Sequence, residues 1–302
     1  MSRKSIYSEV SGTLLVIGIV LFSGCIAQGI AIRDYEYLGD KEVTVPNNWS
    51  MCQMELDNSV GKIMIKMAED TADYLVRASI KVSGRNGEGS VEDANTLSYS
   101  AITENTVRVA FDSDWKEVVT VNPYTYELTI SIRKDISLEL VLDVSTGEVD
   151  VILEDLTITG LQLQTSTGDM DVDLNSVLFS DATPEITSST GQITVSLADL
   201  EYQTAQTHWE ISSSTGKVDC TIDQTIGDQG VREFDMDVST GSITADITLP
   251  DNYGLKVVAK ASTGDVSIFG SDVETYTSPN FDSATVQYEF ALNTSTGAIT
   301  VT

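Results

Sequence analysis

The sequence predicts an all-β fold, a β-solenoid of the parallel β-helix type, and three observations predict it. The tripeptide Ser-Thr-Gly begins at Ser145, Ser166, Ser189, Ser214, Ser239, Ser262 and Ser295. Apolar and polar residues alternate on both sides of each copy, the period of a half-buried strand. Consecutive motif glycines stand 21, 23, 25, 25, 23 and 33 residues apart, the range of repeat architectures.

The leader comes first. Arg3 and Lys4 precede an apolar run from Leu14 to Phe22, followed by Ser23-Gly24-Cys25. This pattern reads as a lipoprotein-type signal over 1–25 in which Cys25 carries the lipid. A second reading stays open, because Val10 to Ile32 contains no charged residue and is long enough to span a bilayer uncleaved. Either way Arg3 and Lys4 hold the amino terminus in the cytoplasm and the remainder is expected outside it, tethered through residues 26–40.

From 41 to 136 the expectation is a β region holding one degenerate copy. In CQMELDNSVGKIMIKM, Gly61 stands where the motif glycine would, with Cys52, Met54 and Leu56 on the buried parity before it and Ile63, Ile65 and Met67 after it. VRASIKVSG, TVRVAFD and YELTISI read as further strands, and GRNGEGSVEDANT as a mobile loop.

The repeats proper occupy 137–302. Two residues after each motif glycine stand Val149, Met170, Ile193, Val218, Ile243, Val266 and Ile299; three before each serine stand Leu142, Leu163, Ile186, Ile211, Met236, Ala259 and Leu292. The buried parity therefore switches at the motif. A kink at Gly147, Gly168, Gly191, Gly216, Gly241, Gly264 and Gly297, and at Gly61, produces that switch if glycine takes a backbone conformation that a Cβ disfavours. Two architectures fit: the corner of a solenoid whose coils stack in parallel, or the loop of antiparallel hairpin repeats. Stacked corners explain why serine and threonine recur together with the glycine, which favours the solenoid.

The unit Leu-x-Val-Ser-Thr-Gly-x-Val-x-Val, as at Leu142 to Val151 and approximately within Val257 to Ile268, resembles the "putative adhesin" family of β-strand repeat proteins, a domain of unknown function. The resemblance covers about 41–302, most specifically 137–302. It implies an extracytoplasmic, often membrane-tethered β-helix-like domain, and it brings no catalytic residues.

Charge narrows the partners. Forty-six acidic against 17 basic residues give a formal charge of −29, which repels phosphate backbones and excludes a nucleic-acid role. The acidity is spread along the chain, as on a solvated surface. One cluster is denser: Glu148, Asp150, Asp169 and Asp171, with Asp173, would face one another across stacked coils about 4.8 Å apart. Solvent screening relieves that repulsion in the plainer reading; a calcium ion does so in the sharper one. No other cofactor is expected.

The remaining candidates have duller explanations. His208 is the only histidine, which leaves zinc unsupported; beside the inward Trp209 it should face solvent. Cys52 and Cys220 fall on buried columns of distant copies, where cysteine packs as a small apolar residue, although a disulfide is the sharper alternative for an exported chain. Ser214-Thr215-Gly216-Lys217 spells Ser-x-x-Lys, yet the other copies carry Glu148, Asp169, Gln192, Ser242, Asp265 or Ala298 at the lysine position, so the lysine is incidental. The triplets Asn48-Trp49-Ser50 and Asn293-Thr294-Ser295 match a glycosylation acceptor but are common by chance.

The function these features predict is an extracytoplasmic, membrane-tethered β-repeat scaffold, adhesin-like or with a structural or sensing role at the surface, without catalysis. Its surface protein or glycan partner is not specified. The alternative is a polysaccharide-active enzyme on a β-helix, which needs paired carboxylates in a groove. The carboxyl end adds a further partner. From Val286 to Thr302 the only charge is Glu289, so a last strand left at the edge of the stack would pair with a second copy or another partner, unless Phe269 to Asp282 folds back as a cap.

Overall fold

The computed structural model describes residues 34–44, 50–68, 73–85, 87–88, 95–103, 105–113, 119–120, 125–180, 183–225 and 229–302. The leader, with Cys25, lies outside the described residues, as do the triplet at Asn48 and most of the segment read as a mobile loop. In the amino-terminal part the strands are β1 (Asp34–Val43), β2 (Met51–Met67), β3 (Val76–Arg85), β4 (Gly87–Glu88), β5 (Asn95–Ala101), β6 (Thr106–Ser113), β7 (Val119–Thr120) and β8 (Thr125–Ile132). The repeats supply β9 (Ser137–Glu154), β10 (Thr157–Thr167), β11 (Met170–Asn175), β12 (Leu178–Phe179), β13 (Glu185–Ala198), β14 (Glu201–Tyr202), β15 (Gln206–Asp223) and β16 (Gly230–Thr248). They end with β17 (Gly254–Thr263), β18 (Val266–Ile268), β19 (Thr275–Thr277), β20 (Val286–Thr296) and β21 (Ile299–Val301). All but β4 and β7 belong to one sheet of 19 strands.

The pairing decides between the two architectures. β2, β9, β10 with β11, β13, β15 and β16 stack in parallel, with Gly61 beside Gly147, and Gly216 between Gly191 and Gly241. The fold is therefore a parallel, β-helix-like coil, each copy contributing one leg before the glycine and one after it. Leu142, Leu163, Ile186, Ile211 and Met236 line the interior of the first leg, and Val149, Met170, Ile193, Val218 and Ile243 that of the second. A third, shorter side is made by β12, β14 and the start of β10. It begins at a corner where Asp155, Ser176 and Asp199 have φ of 54°, 53° and 48°, each followed by a buried Leu156, Val177 or Leu200.

Gln224 follows the same corner in the next coil. Its buried side-chain amide donates to the Leu200 carbonyl (2.8 Å) and its carbonyl oxygen accepts from the Leu200 N–H (3.0 Å). The side chain thus pairs the Leu200 backbone as a neighbouring strand would, since a buried backbone group left unpaired is costly.

Three expectations are corrected. The segment read as a tether up to residue 40 is partly folded: Asp34 to Asp40 pair antiparallel with β3. The last copy is not at the edge. β20 and β21 lie between β16 on one side and β17 and β18 on the other, and Phe290 stacks on Phe234 with centroids 4.9 Å apart. The 33-residue interval before Gly297 lets the chain run past, build the outermost coil and return. The scarcity of charge from Val286 onward is thus the mark of a strand paired on both sides. Finally, Val266 is half-buried, because its copy is the outermost.

The true edge is defended. β17 carries Lys256 and Lys260, residues suited to an exposed edge. β19 pairs with it antiparallel over Lys256 to Val258, so the segment after Phe269 does fold back, over β17.

Candidate functional site

Each motif glycine sits at a corner with φ between 124° and 154°, a conformation that glycine alone adopts cheaply. A second constraint is stronger. A Cβ built on Gly147, Gly168, Gly191, Gly216, Gly241, Gly297 or Gly264 would lie 1.5 to 2.0 Å from the carbonyl oxygen of the motif glycine in the adjacent coil. The ladder ends at the amino-terminal side, where Gly61 faces Tyr126 instead. Ser145 and Thr146 and their counterparts in the central copies are exposed at this corner, with the threonines in register from coil to coil.

Strand parity turns the other side chains outward. On the leg after the glycine, Glu148, Asp150, Asp169 and Asp171 share one face, with Asp150 beside Asp171. The first two are not left to repel. Lys62, from the coil below, reaches Glu148 Oε1 at 2.6 Å and Asp150 Oδ2 at 2.9 Å, and these two hydrogen bonds push its ammonium above the usual lysine range. Asp169 Oδ1 accepts from the Gln192 backbone N–H at 2.8 Å. Among the described residues no three His, Cys, Asp or Glu side chains gather as a metal cage. Lys217, singled out beside Ser214, pairs instead with Asp219 at 2.6 Å.

A larger acidic stripe lies on the leg before the glycine. Glu185, Glu210 and Asp235 occupy one outward column on successive coils, with Glu233, Asp237 and Glu289 in the flanking columns. The same spacing is visible in the sequence, six residues before Gly191, Gly216 and Gly241, once charge as well as hydropathy is aligned by copy. His208 stands among them, with Nδ1 3.5 Å from Glu233 Oε2 and Nε2 3.6 Å from Asp235 Oδ2. Its side chain is 42% exposed, while Trp209 next to it is fully buried. Lys256 from the outermost coil holds Glu289 at 2.7 Å. Chemically this face can hold cations or a basic partner by charge.

Beneath the faces the interior is packed. Phe179 meets Trp209 edge-on (5.1 Å), Trp209 stacks on Phe234 (5.8 Å), and Phe234 on Phe290, a column that aromatic geometry favours. A cleft of about 570 Å³ lies over the third side, lined by Tyr202, Thr204, Gln229, Gly230 and Thr285 among others. Under it Arg232 is fully buried and donates to the carbonyls of Gln229 (2.6 Å), Val231 (3.1 Å) and Thr204 (3.2 Å). Its guanidinium lies 4.1 Å over the Tyr202 ring, so it clamps the turn as a structural cation. Cys52 and Cys220 are free and buried, and burial pushes both thiols up to about 12.

With the geometry in place, comparison with known proteins assigns the chain. A family model, the N-terminal domain of toast_rack (DUF2154), matches residues 36–196, more than half of the sequence. The chain belongs to this toast_rack family. No curated protein matches it. Solved structures similar to the chain include that of a "putative cell adhesion protein" from Clostridium sporogenes, at 17% identity and a TM-score of 0.43, covering 89% of this chain and 98% of the other. A "putative adhesin" from Bacteroides fragilis follows at 14% identity and 0.40, covering 89% and 97%. Among the described residues no helix is long and apolar enough to cross a membrane.

Proposed function

We propose that this toast_rack protein is a membrane-tethered, extracytoplasmic scaffold that presents an acidic β-coil to a surface partner, in the manner of an adhesin, and performs no catalysis. One observation carries the reading. The coil interior is filled by contiguous columns of side chains from Met54 to Val301 that are almost wholly buried, so what the molecule offers is its outside: flat rows of short polar and acidic residues on a rigid rack. Repeat coils of this kind present extended surfaces, and a rigid surface serves attachment or sensing without a reaction. The tether rests on the leader, through a lipid on Cys25 or an uncleaved anchor.

Three measurements test this. Proteolysis of intact cells expressing the full chain should remove everything from about Asp34 onward, and a chain protected until the cells are broken would overturn the location. Mass spectrometry of the mature amino terminus should find a lipidated Cys25; an intact Met1 or Ser2 end would leave an anchor in its place. Incubating the full-length protein on a glycan array, with products analysed, should show retention or indifference without cleavage. Released shorter glycans would establish the polysaccharide-active alternative.

A further inference from the structure

The two ends of the coil are protected unequally. The carboxyl end has β17 with two lysines and β19 folded along it. At the amino end one edge strand, β1, has five charged residues in ten. The other, β5, reads Asn-Thr-Leu-Ser-Tyr-Ser-Ala and contains no charge at all. Among the described residues β5 pairs with β6 alone, so no described strand occupies its outer backbone edge. An uncharged, regular edge of this kind recruits another strand.

The side chains indicate which strand it recruits. Leu97 stands beside Phe111 and Tyr99 beside Val109, on the face that packs against the core, yet both are only half-buried because the stack ends there. Thr96, Ser98 and Ser100 point to solvent. The strand is self-complementary. If two copies run antiparallel about Ser98, Leu97 faces Tyr99 of the other copy and Thr96 faces Ser100, so the apolar face continues across the junction and the polar face stays wet.

Charge distribution points the same way. Residues 137–302 hold 27 acidic and four basic residues, against 18 and ten in residues 34–136. Two copies can therefore approach at the amino ends with the least repulsion, and a head-to-head arrangement keeps the strongly acidic halves far apart.

We propose that β5 is a homodimer interface, in which Asn95–Ala101 of two copies pair antiparallel across a two-fold axis at Ser98 and join their sheets into one. Isologous pairing of this kind closes on itself and leaves no free edge to propagate.

Cysteine crosslinking in the full-length chain, purified in detergent on a Cys25→Ser background, reads the register directly. Ser98→Cys should give a disulfide-linked dimer on mild oxidation, and the Thr96→Cys/Ser100→Cys double variant should do so as well. Ser100→Cys alone should stay largely uncrosslinked, because its own counterpart lies four residues away along the pair. Sedimentation of the unmodified chain should show a concentration-dependent dimer that Ser98→Lys shifts toward monomer by tenfold or more in dissociation constant. Since Ser98 is exposed, its lysine variant should keep the wild-type melting temperature at concentrations where both chains are monomeric. A chain that sediments as a monomer throughout, a dimer that Ser98→Lys leaves unchanged, or crosslinking of Ser100→Cys as efficient as that of Ser98→Cys would each overturn the interface, and the last two would locate the contact elsewhere.

Discussion

The central coils and the outermost coil carry the same motif and bear it differently. Val218 and Ile243, two residues after Gly216 and Gly241, are at 0% and 1% exposure, because each has a coil above and below. Val266 occupies the same place in the outermost copy and is half-buried. The motif sets which way a side chain points; the neighbours set how much that direction is worth. In a repeat stack stability is largely a sum of coil-to-coil interfaces, and the last coil has one where the others have two.

The largest expected effect comes from putting a charge on this column. Val218→Asp places a carboxylate among apolar neighbours with no partner, at a cost of several kcal/mol, and should abolish cooperative folding of the surrounding coils. Val266→Asp can turn its carboxylate to water at the open side and should cost roughly 1–2 kcal/mol. Thermal melts followed by circular dichroism check this. Equal effects at the two positions would mean that the outermost coil is covered by something else.

Glycine gives the next contrast. Gly216→Ala must fit a Cβ that would start 1.8 Å from the Gly191 carbonyl oxygen, at φ of 150°. Because backbone on both sides must move, a loss of about 3 kcal/mol or more is expected. Gly270 has φ of 73° and nothing within 4 Å of the added Cβ, so Gly270→Ala should cost only about 1 kcal/mol from backbone strain. Denaturant titration of the two variants separates close approach from conformational preference. If both cost about 1 kcal/mol, the coils are not in glycine-to-glycine contact.

What could be read in the sequence follows from which forces are local. Side-chain parity and the corner are local properties, so Leu142, Val149 and the glycines disclose their places through period and spacing. The order of the coils is a long-range choice, and nothing in NTSTGAITVT itself says whether it pairs with β16 alone or with β17 as well. The clues lie elsewhere: lysines in the true edge strand, and their absence from β20. The third side was hidden for a related reason, since its strands are two residues long and its corner residues, Asp155, Ser176 and Asp199, look like any polar turn. At the surface the acidic cluster of Glu148 and Asp150 was legible, but not Lys62, which reaches it from 86 positions away. The stripe through Glu185, Glu210 and Asp235 shows in the sequence only when charge is aligned by copy, and its contiguity only with coils in register.

The two free thiols compare an end coil with a central one. Cys52 in β2 and Cys220 in β15 are both deeply buried, and burial raises each from 9.0 to about 12. The folded state therefore holds the neutral thiol while the unfolded chain ionises it above about pH 9. The sign follows: the stability is fully present below pH 9 and is lost as pH climbs from 9 toward 12. Replacing both by alanine should flatten that part of the pH–stability curve while lowering stability uniformly through lost packing. Alkylation at pH 9 should be slow at both sites in the native protein and fast in denaturant. Faster labelling of Cys52 alone would show that the amino-terminal coils open separately.

The smallest effect should come from the surface. Lys62 neutralises Glu148 and Asp150, but its side chain is 39% exposed and that of Glu148 is 52% exposed. Solvent and salt therefore screen the pair, and ion pairs in such positions contribute about 0–1 kcal/mol. Lys62→Met keeps most of the stem that lies along the coil and removes the charge, leaving Glu148 and Asp150 to face Asp169 and Asp171 across one coil spacing. The expected loss is below about 1 kcal/mol at low ionic strength, shrinking as salt is raised over the range where the screening length falls below about 8 Å. Melting curves at low and high salt check it. A loss that stays constant with salt would show that Lys62 acts through packing of its stem against the coil rather than through charge, which would make this acidic face tolerant of its own repulsion and leave the carboxylates free to serve an outside partner.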